Sequence, residues 1–345
     1  MKFSPAFLKT PGWGLLLFIL VYVAGVYGVA VSLGRVDQFS LLLYSGPVFR
    51  VSLMLFLLFV GWRTYSLILF ERPQRLGMTL VRDVRGRLFT PAQINAAMPV
   101  FVAFILFMAA FTVMKGMIPL IQPYGWDVKF AEIDRVLHGG IDPWRLLQPI
   151  FGYPLITAII NIVYNLWFVV MFAVLYWQLF STRRPQLRRR FFWTFFLTWI
   201  INGSVLAALL SSAGPCFYHL VAPGVENPFA GQMEYLRDIA QHYPVWAVQT
   251  QDSLWQTYQG NKTGLGSGIA AMPSVHVAIA FLFLLLSFQY GRFARWFFCA
   301  FAALIMLGSV HLAWHYAVDG YVGAVVTALI WFGTGFIFRE KVVTE

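Results

Sequence analysis

Long apolar runs alternate with short polar segments along almost the whole chain. A helix needs about 20 apolar residues to cross the hydrocarbon core of a bilayer. Eight runs approach or exceed that length: 12–34, 47–70, 95–120, 154–180, 191–213, 274–290, 293–313 and 315–338. The pattern predicts an all-α integral membrane protein with about eight transmembrane helices. The first run reaches Leu33 and is too long for a signal peptide, so we interpret it as a retained span, with cleavage after Ala30 as the minor alternative.

Composition supports this prediction and excludes a pair of soluble domains, which the length of 345 residues would otherwise suit. Hydrophobic residues make up 59% of the chain and charged residues 11%, whereas an average soluble protein has about 25% charged residues. The formal charge of +11 does not indicate nucleic-acid binding, because the arginines lie in short segments between apolar runs. The two cysteines, Cys216 and Cys299, form neither a disulfide framework nor a CxxC metal site.

The basic residues predict the orientation in the membrane. With eight spans, five basic segments fall on one side, and the positive-inside rule makes that side cytoplasmic. Loops 121–153 and 214–273 are then predicted to be extracytoplasmic. The basic residues concerned are Lys2 and Lys9; Arg72, Arg75, Arg82, Arg85 and Arg87; Arg183, Arg184, Arg188, Arg189 and Arg190; Arg292 and Arg295; Arg339 and Lys341.

The two long loops differ in character. Loop 121–153 mixes apolar stretches with Asp127, Asp134 and Asp142, which is typical of short interfacial helices lying on the membrane. Loop 214–273 is interrupted by Gly and Pro and ends in the glycine-rich stretch 264–268. That stretch is either an ordinary loop or a place where backbone N–H groups approach a phosphate.

Two short segments carry the candidate chemistry. His315 and Asp319 are four residues apart, so on a helix they share one face, where the carboxylate would set the imidazole tautomer and raise its basicity. Alone, this pair is equally explained as a satisfied buried pair. Ser274 after Pro273 indicates a helix start, which puts His276 in a first turn, where N–H groups and the helix dipole attract phosphate. Alone, this is equally an ordinary cap.

The combination is more informative than either segment. The charge topology puts both segments at the same membrane face, so two helix N-termini, two imidazoles and one carboxylate converge there. Phosphoryl transfer needs a nucleophile, a proton donor for the leaving oxygen, and positive charge around the phosphate. The histidines and the carboxylate supply a nucleophile and a proton donor, and the helix N-termini supply part of the positive charge.

These segments resemble a known family. Met272-Pro273-Ser274-Val275-His276 followed by His315-Tyr316-Ala317-Val318-Asp319 resembles the second and third motifs of the type-2 phosphatidic acid phosphatase superfamily. The branch most similar to this chain contains the inositol phosphorylceramide synthases and related sphingolipid synthases. The stretch 212–218 resembles the first-motif region of bacterial members.

The resemblance implies a role for each matching residue. His315 would attack phosphorus to give a phosphohistidine-type intermediate, Asp319 would orient His315, and His276 would protonate the leaving oxygen and later deprotonate the acceptor. No metal and no cofactor are implied. The partners would be a phospholipid donor and a lipid alcohol, or water, as acceptor. The expected location is the bacterial inner (plasma) membrane, with the active site on the extracytoplasmic face.

The chain departs from the phosphatases of this family at the phosphate clamp. They carry Ser-Arg six to seven residues before the nucleophilic histidine, where this chain has Gly308-Ser309. Lys115, Arg237 and Lys262 are the replacements we consider. Lys262 is preferred because it precedes the glycine-rich stretch and the second motif, although a snorkelling interfacial role explains each of the three more simply. His311 either lines the pocket or is a polar turn residue. The remaining candidates for substrate contact are Ser274, Gly214, Pro215 and Tyr218.

The preferred hypothesis is a lipid phosphotransferase that moves a phosphate-bearing head group from a phospholipid to a lipid alcohol. The alternative is a lipid-phosphate phosphatase, with water as the acceptor. A transporter is a less favoured rival, suggested by polar residues within the spans: Arg50, Asn161, Asn165 and Asn202. A bis-histidine haem protein is a further rival. We divide the chain into N-terminal transmembrane helices (1–120), extracytoplasmic interfacial helices (121–153) and a catalytic transmembrane domain (154–345). The last three to five spans are expected to form the catalytic unit, and the oligomeric state is left open.

Overall fold

The computed structural model describes residues 12–338, and these residues form helices and connecting turns without a β-strand. The basic residues Lys2, Lys9, Arg339 and Lys341 lie outside the described range. The helices are α1 Trp13–Ser32, α2 Ser45–Ser66, α3 Leu76–Leu88, α4 Pro91–Ile121, α5 Asp127–Leu137, α6 Pro143–Phe151, α7 Pro154–Phe180, α8 Pro185–Ile200, α9 Ala207–Leu209, α10 Tyr218–Val221, α11 Ala230–Ile239, α12 Trp246–Gln259, α13 Val275–Ser287, α14 Arg292–His311 and α15 Ala317–Ile337.

Seven helical segments within the described range are long and apolar enough to cross a membrane: Trp13–Ser32, Ser45–Glu71, Pro91–Ile121, Pro154–Phe180, Pro185–Leu209, Arg292–His311 and Ala317–Ile337. Two of them continue through π-helical turns, Leu67–Glu71 after α2 and Ile201–Leu206 after α8. The remaining predicted run, 274–290, corresponds to the shorter apolar helix α13. The predicted fold class, an all-α integral membrane protein with about eight spans, is confirmed.

Helix α13 is the shortest of these because local signals end it on both sides. The Ser274 hydroxyl accepts from the N–H of Val277 at its start, and Gly291 with a φ of +101° follows its end. Its 13 residues span roughly 20 Å at 1.5 Å per residue, less than the about 30 Å of a bilayer core. Helix α13 alone is therefore too short to cross the whole core.

Helix α13 lies at the centre of the bundle and packs against α7, α8, α14 and α15. Its inward positions are fully buried, and Ala278 and Ala280 keep the helix narrow. Gly323 of α15 permits close approach, since a Cβ there would lie 2.7 Å from the carbonyl oxygen of Ser274. This close packing brings the first turns of α13 and α15 together at one end of the bundle.

Two segments read from the sequence as loops contain helices. Segment 71–93 includes α3, whose amphipathic pattern is interspersed with arginines and therefore lacks an apolar run. Arg63 of α2 is buried and holds α3 in place, because it forms ion pairs with Glu71 and Asp83. Loop 214–273 contains α10, α11 and α12 between its Gly and Pro residues. In loop 121–153 the two expected short helices are present as α5 and α6.

Candidate active site

His276 and His315 face each other across one cavity of about 460 Å³. Their ring centroids lie 6.4 Å apart. His276 is in the first turn of α13, and His315 is two residues before α15, so the closely packed first turns of these helices bring the rings together. Lys115, from the C-terminal part of the long helix α4, lines the same cavity.

The Nδ1 atom of His315 is held by two acceptors. It lies 2.9 Å from the carbonyl oxygen of Ala271 and 3.3 Å from Oδ2 of Asp319. A carbonyl oxygen only accepts hydrogen bonds, so Nδ1 carries the proton and Nε2 keeps a lone pair. Burial, together with the positive charge of Lys115, lowers the pKa of His315 to about 3. The imidazole is therefore neutral near pH 7, with a free Nε2 that can act as a nucleophile.

The Ala271 carbonyl is a site group that no side-chain pattern in the sequence indicates. It is positioned by Ser212, whose carbonyl oxygen accepts from the N–H of Ala271 at 2.9 Å and whose hydroxyl accepts from the N–H of Met272 at 3.2 Å. The segment that resembles the first motif thus pairs with the segment before the second motif. Together they set the position of the acceptor for His315.

Asp319 is fully buried and joins three parts of the site. Its Oδ2 accepts from the N–H of Tyr316 at 3.0 Å, which closes the first turn of α15. Its backbone carbonyl accepts from the N–H of Ser274 at 3.0 Å, which ties α15 to the start of α13. The predicted His315–Asp319 contact is therefore present and is longer than the one to Ala271. The two residues do not share a helix face, because His315 lies in the turn before α15 and only Asp319 lies in the helix.

His276 is surrounded by aromatic side chains of α7. Its ring lies 4.3 Å from the ring of Trp167 and is stacked at 5.2 Å on Tyr164. The Trp167 indole donates to the backbone carbonyl of His276 at 3.0 Å, so the helix as well as the ring is held. Among residues 12–338 neither ring nitrogen of His276 has a hydrogen-bond partner, and the ring is available to a molecule in the cavity.

Lys115 is the one of the three candidate cations that lines the cavity. It forms no hydrogen bond or ion pair with another residue in the described part of the chain. Gly268, with a φ of +88°, packs directly on the Lys115 backbone, since a Cβ there would lie 2.8 Å from the Lys115 carbonyl carbon. The glycine-rich stretch thus permits close approach to α4, and Gly266, Ser267 and Gly268 line the cavity beside Lys115.

The other two cations lie away from the histidines. Lys262, the preferred clamp from the sequence, is exposed and lines a separate small depression with Arg35 and Gln38. Arg237 is paired with Asp252 at 2.8 Å on the exposed side of α11. Lys262 precedes the glycine-rich stretch in sequence, but it is Lys115 that the fold brings into the cavity.

The other candidate residues lie behind the cavity wall. Ser274 caps α13, and His311 is buried with its Nε2 at 2.8 Å from the Thr157 hydroxyl, outside the cavity lining. Gly214, Pro215 and Tyr218 are also buried outside the lining, while their neighbours Ala213 and Phe217 form part of it. The candidate residues therefore form two groups: His276, His315 and Lys115 line the cavity, and the others support it from behind.

Helix α5 supplies two buried acids that hold the loops of the site, a role the sequence did not indicate. Asp127 accepts from the N–H groups of Ala213 and Gly214 and from the Tyr316 hydroxyl at 2.9 Å. Asp134 accepts from the N–H groups at the start of α15, with Oδ2 at 2.6 Å from Ala317 N. Burial raises the pKa of both carboxyl groups. These contacts fix the segment that precedes α15, and with it His315.

Asn161, one of the polar residues that suggested a transporter, has a structural role here. Its side chain donates to the carbonyl of Pro244 at 2.8 Å and accepts from the N–H of Ala247 at 3.2 Å. It therefore anchors the start of α12 to α7. In the described range no three or more His, Cys, Asp or Glu side chains lie together in a way that would hold a metal ion.

The fold and this cavity define a multi-pass helical membrane protein in which two histidines and a lysine line one largely apolar cavity. The chain belongs to the PAP2 superfamily, whose sequence profile matches residues 128–333. Membership supports an enzyme with lipid phosphatase or phosphotransferase activity in general terms. No curated protein and no solved structure matches the chain.

Proposed function

We propose that this protein is a lipid phosphotransferase that moves a phosphate-bearing head group from a phospholipid to a lipid alcohol, through an intermediate on His315. The observation that carries the proposal is the state of His315: its Nδ1 proton is held by Ala271 and Asp319, and the residue lines a cavity shared with His276 and Lys115. The resemblance to the sphingolipid-synthase branch supports the transferase reading.

In the first step Nε2 of His315 attacks phosphorus, and the bond from phosphorus to the leaving oxygen breaks. His276 starts as the imidazolium, which the negative phosphate favours, and gives its proton to the leaving oxygen. The product lipid alcohol departs, and the phosphoryl group stays bound to Nε2. Asp319 stabilises the positive charge that forms on the His315 ring.

In the second step the acceptor hydroxyl attacks phosphorus and the bond to Nε2 breaks. His276, now neutral, takes the hydroxyl proton and returns to its starting state. Lys115 supplies the positive charge around the phosphate oxygens. It replaces the arginine that phosphatases of this family carry at the position of Ser309. Ser309 is fully buried, and its carbonyl accepts from the N–H groups of Trp314 and His315, so this position serves the turn before His315.

An apolar cavity favours a lipid alcohol over water as acceptor. Its walls are mostly aromatic and aliphatic, including Trp167, Phe168 and Trp199 beside His276. An intermediate in such surroundings is protected from hydrolysis until a hydroxyl is bound close to phosphorus.

The proposal also assigns the site to the extracytoplasmic side. Arginine-rich segments 71–93 and 181–190 both precede a span that runs toward the histidine end of the bundle, and arginine-rich segments favour the cytoplasm. The donor would be a lipid of the outer leaflet of the plasma membrane.

The decisive experiment uses purified protein in nanodiscs with phospholipid labelled in the head group, with and without ceramide or diacylglycerol. The expected result is label on the added lipid alcohol, lost in His315→Ala. Label released as free phosphate or a free head-group phosphate, unchanged by acceptor, would instead support the phosphatase. Absence of any turnover in folded protein with either acceptor would contradict the proposal.

A further inference from the structure

The cavity has two chemically different ends. One end holds Lys115, His276 and His315, which suit a phosphate group. The apolar part of the lining comes from three different helices: Val48 and Val51 of α2, Met108 of α4, and Met171 and Phe172 of α7. Met108 lies about two turns before Lys115 on α4, and Met171 lies about one turn beyond Trp167, which contacts His276, so this part is displaced from the charged end. A molecule that fills the whole cavity would therefore have a charged head and an apolar tail.

Helix α2 forms a wall of the apolar end, although it lies outside the residues 128–333 that match the superfamily. Val48 is 1% exposed at the cavity, whereas Leu57 and Leu58, further along the helix, are 58% and 61% exposed. The helix is attached near its start, where the Tyr44 hydroxyl bonds to the Thr112 hydroxyl at 2.9 Å and accepts from the N–H of Gly266 at 3.0 Å. Ser52 and Tyr176 link it to α7.

The same hydroxyl of Tyr44 connects the apolar wall to the charged end. Gly266 belongs to the glycine-rich stretch that packs against α4 beside Lys115. The position of α2 is thereby tied to the loop next to the proposed phosphate site. On α7, Phe168 lines the cavity and is 49% exposed, which places an opening of the cavity beside α7.

We propose that the apolar end is a binding site for one hydrocarbon chain of a phosphate-bearing lipid, with α2 as its wall and with the lipid phosphate between Lys115 and the two histidines. The occupant follows from the lining of the cavity, which we describe as an apolar channel beside a charged end: aliphatic and aromatic side chains are combined with one lysine and two imidazoles. Its volume of about 460 Å³ falls within the range of small-molecule pockets. The inference rests on the proposed function only for the identity of the charged end.

A chain moving from the bilayer into this channel changes one hydrocarbon environment for another, so the channel would act mainly by positioning the phosphate. A chain moving from water is different, because each buried methylene then strengthens binding about fourfold. Water-soluble n-alkyl phosphates of two, four, six and eight carbons therefore make suitable probes, since their binding needs no turnover.

The test measures binding of these alkyl phosphates to resting protein in nanodiscs, from the fluorescence of the cavity tryptophans, with binding to protein-free nanodiscs subtracted. In the wild type the dissociation constant should fall by about fourfold per methylene. Val51→Trp fills the channel, so the dissociation constants of the longer probes should no longer fall with chain length. The dissociation constant of the two-carbon probe should stay unchanged. Leu57→Trp, on the exposed side of the same helix, is the matched control and should behave as wild type.

Phe172→Ala is a second test variant if Val51→Trp does not fold. It enlarges the channel, so the fall of the dissociation constant with chain length should continue to longer alkyl chains. An equal chain-length dependence in Val51→Trp and Leu57→Trp, or no dependence in the wild type, would overturn the channel. Failure of the proposed function appears separately, as absence of head-group transfer in the turnover assay while the chain-length dependence of binding persists.

Discussion

The imidazole of His315 donates through Nδ1 to the backbone carbonyl of Ala271, 44 residues earlier in the chain, at 2.9 Å. The contact to the Asp319 carboxylate is longer, at 3.3 Å. The tautomer of the proposed nucleophile is therefore set by a backbone group, and the carboxylate has the separate task of stabilising positive charge on the ring. This division of roles leads to the first prediction.

Asp319→Asn should lower kcat by about 100- to 1,000-fold, because the charge is lost while Ala271 still holds the correct tautomer. The loss should be smaller than the about 10,000-fold that follows the same change in a serine-protease triad, where the tautomer is lost as well. His315→Ala should abolish turnover. Steady-state kinetics of folded protein would measure both, and an Asp319→Asn loss equal to that of His315→Ala would contradict the assigned division.

Lys115→Ala should lower kcat/KM by about 100- to 1,000-fold, the usual effect of removing one group that stabilises a transition-state charge. Lys262→Ala is the matched control, since this lysine is exposed outside the cavity, and its kcat/KM should stay within about twofold of wild type. A larger loss of kcat/KM in Lys262→Ala than in Lys115→Ala would show that Lys262 is the residue that binds the phosphate.

The stability of the protein should depend on pH through His315. Its pKa is lowered to about 3 by burial and by Lys115, below the ordinary value of about 6.5. Between these values the unfolded chain binds the extra proton, so the free energy of unfolding should fall as the pH falls from about 6.5 to about 3. Thermal unfolding of wild type and His315→Gln across this interval tests it. The difference should shrink toward low pH by up to about 1.4 kcal/mol per pH unit, and parallel curves would contradict it.

Asp134→Asn should weaken the start of α15, because an amide has one oxygen to accept the two N–H groups that the carboxylate now serves. We expect kcat to fall roughly tenfold with a smaller change in KM, together with a lower Tm. Glu132→Gln, an exposed position on the same helix α5, is the control and should change neither. A lower Tm with an unchanged kcat would show that Asp134 supports the fold without positioning His315.

The orientation is tested with single cysteines in a background that lacks Cys216 and Cys299. Ser253→Cys on α12 lies at the histidine end of the bundle, and Thr182→Cys lies in the arginine-rich turn between α7 and α8. Both positions are exposed. A membrane-impermeant thiol reagent applied to intact cells should label the first and spare the second. Labelling of Thr182→Cys alone would reverse the proposed topology.

Several features of this protein follow from neighbouring residues and were therefore predictable. The apolar runs indicated the spans, because crossing a bilayer requires about 20 consecutive apolar residues. The spacing of His315 and Asp319 indicated that their side chains meet, although His315 lies in the turn before α15 and not on the helix, and Ser274 indicated the start of α13. The resemblance of these segments to the phosphatidic acid phosphatase motifs indicated the superfamily.

Other features depend on which distant segments the packing brings together. Lys115 precedes His276 by more than 150 residues, and it enters the cavity because α4 passes beside the glycine-rich stretch. The Ala271 acceptor is a backbone carbonyl, which every residue type possesses, so no residue pattern marks it. Asp127 and Asp134 resembled surface residues of interfacial helices, and only their burial against Gly214 and Ala317 reveals them as supports of the site. Helix periodicity is encoded locally, whereas the lining of a cavity is set by side chains that meet through long-range packing.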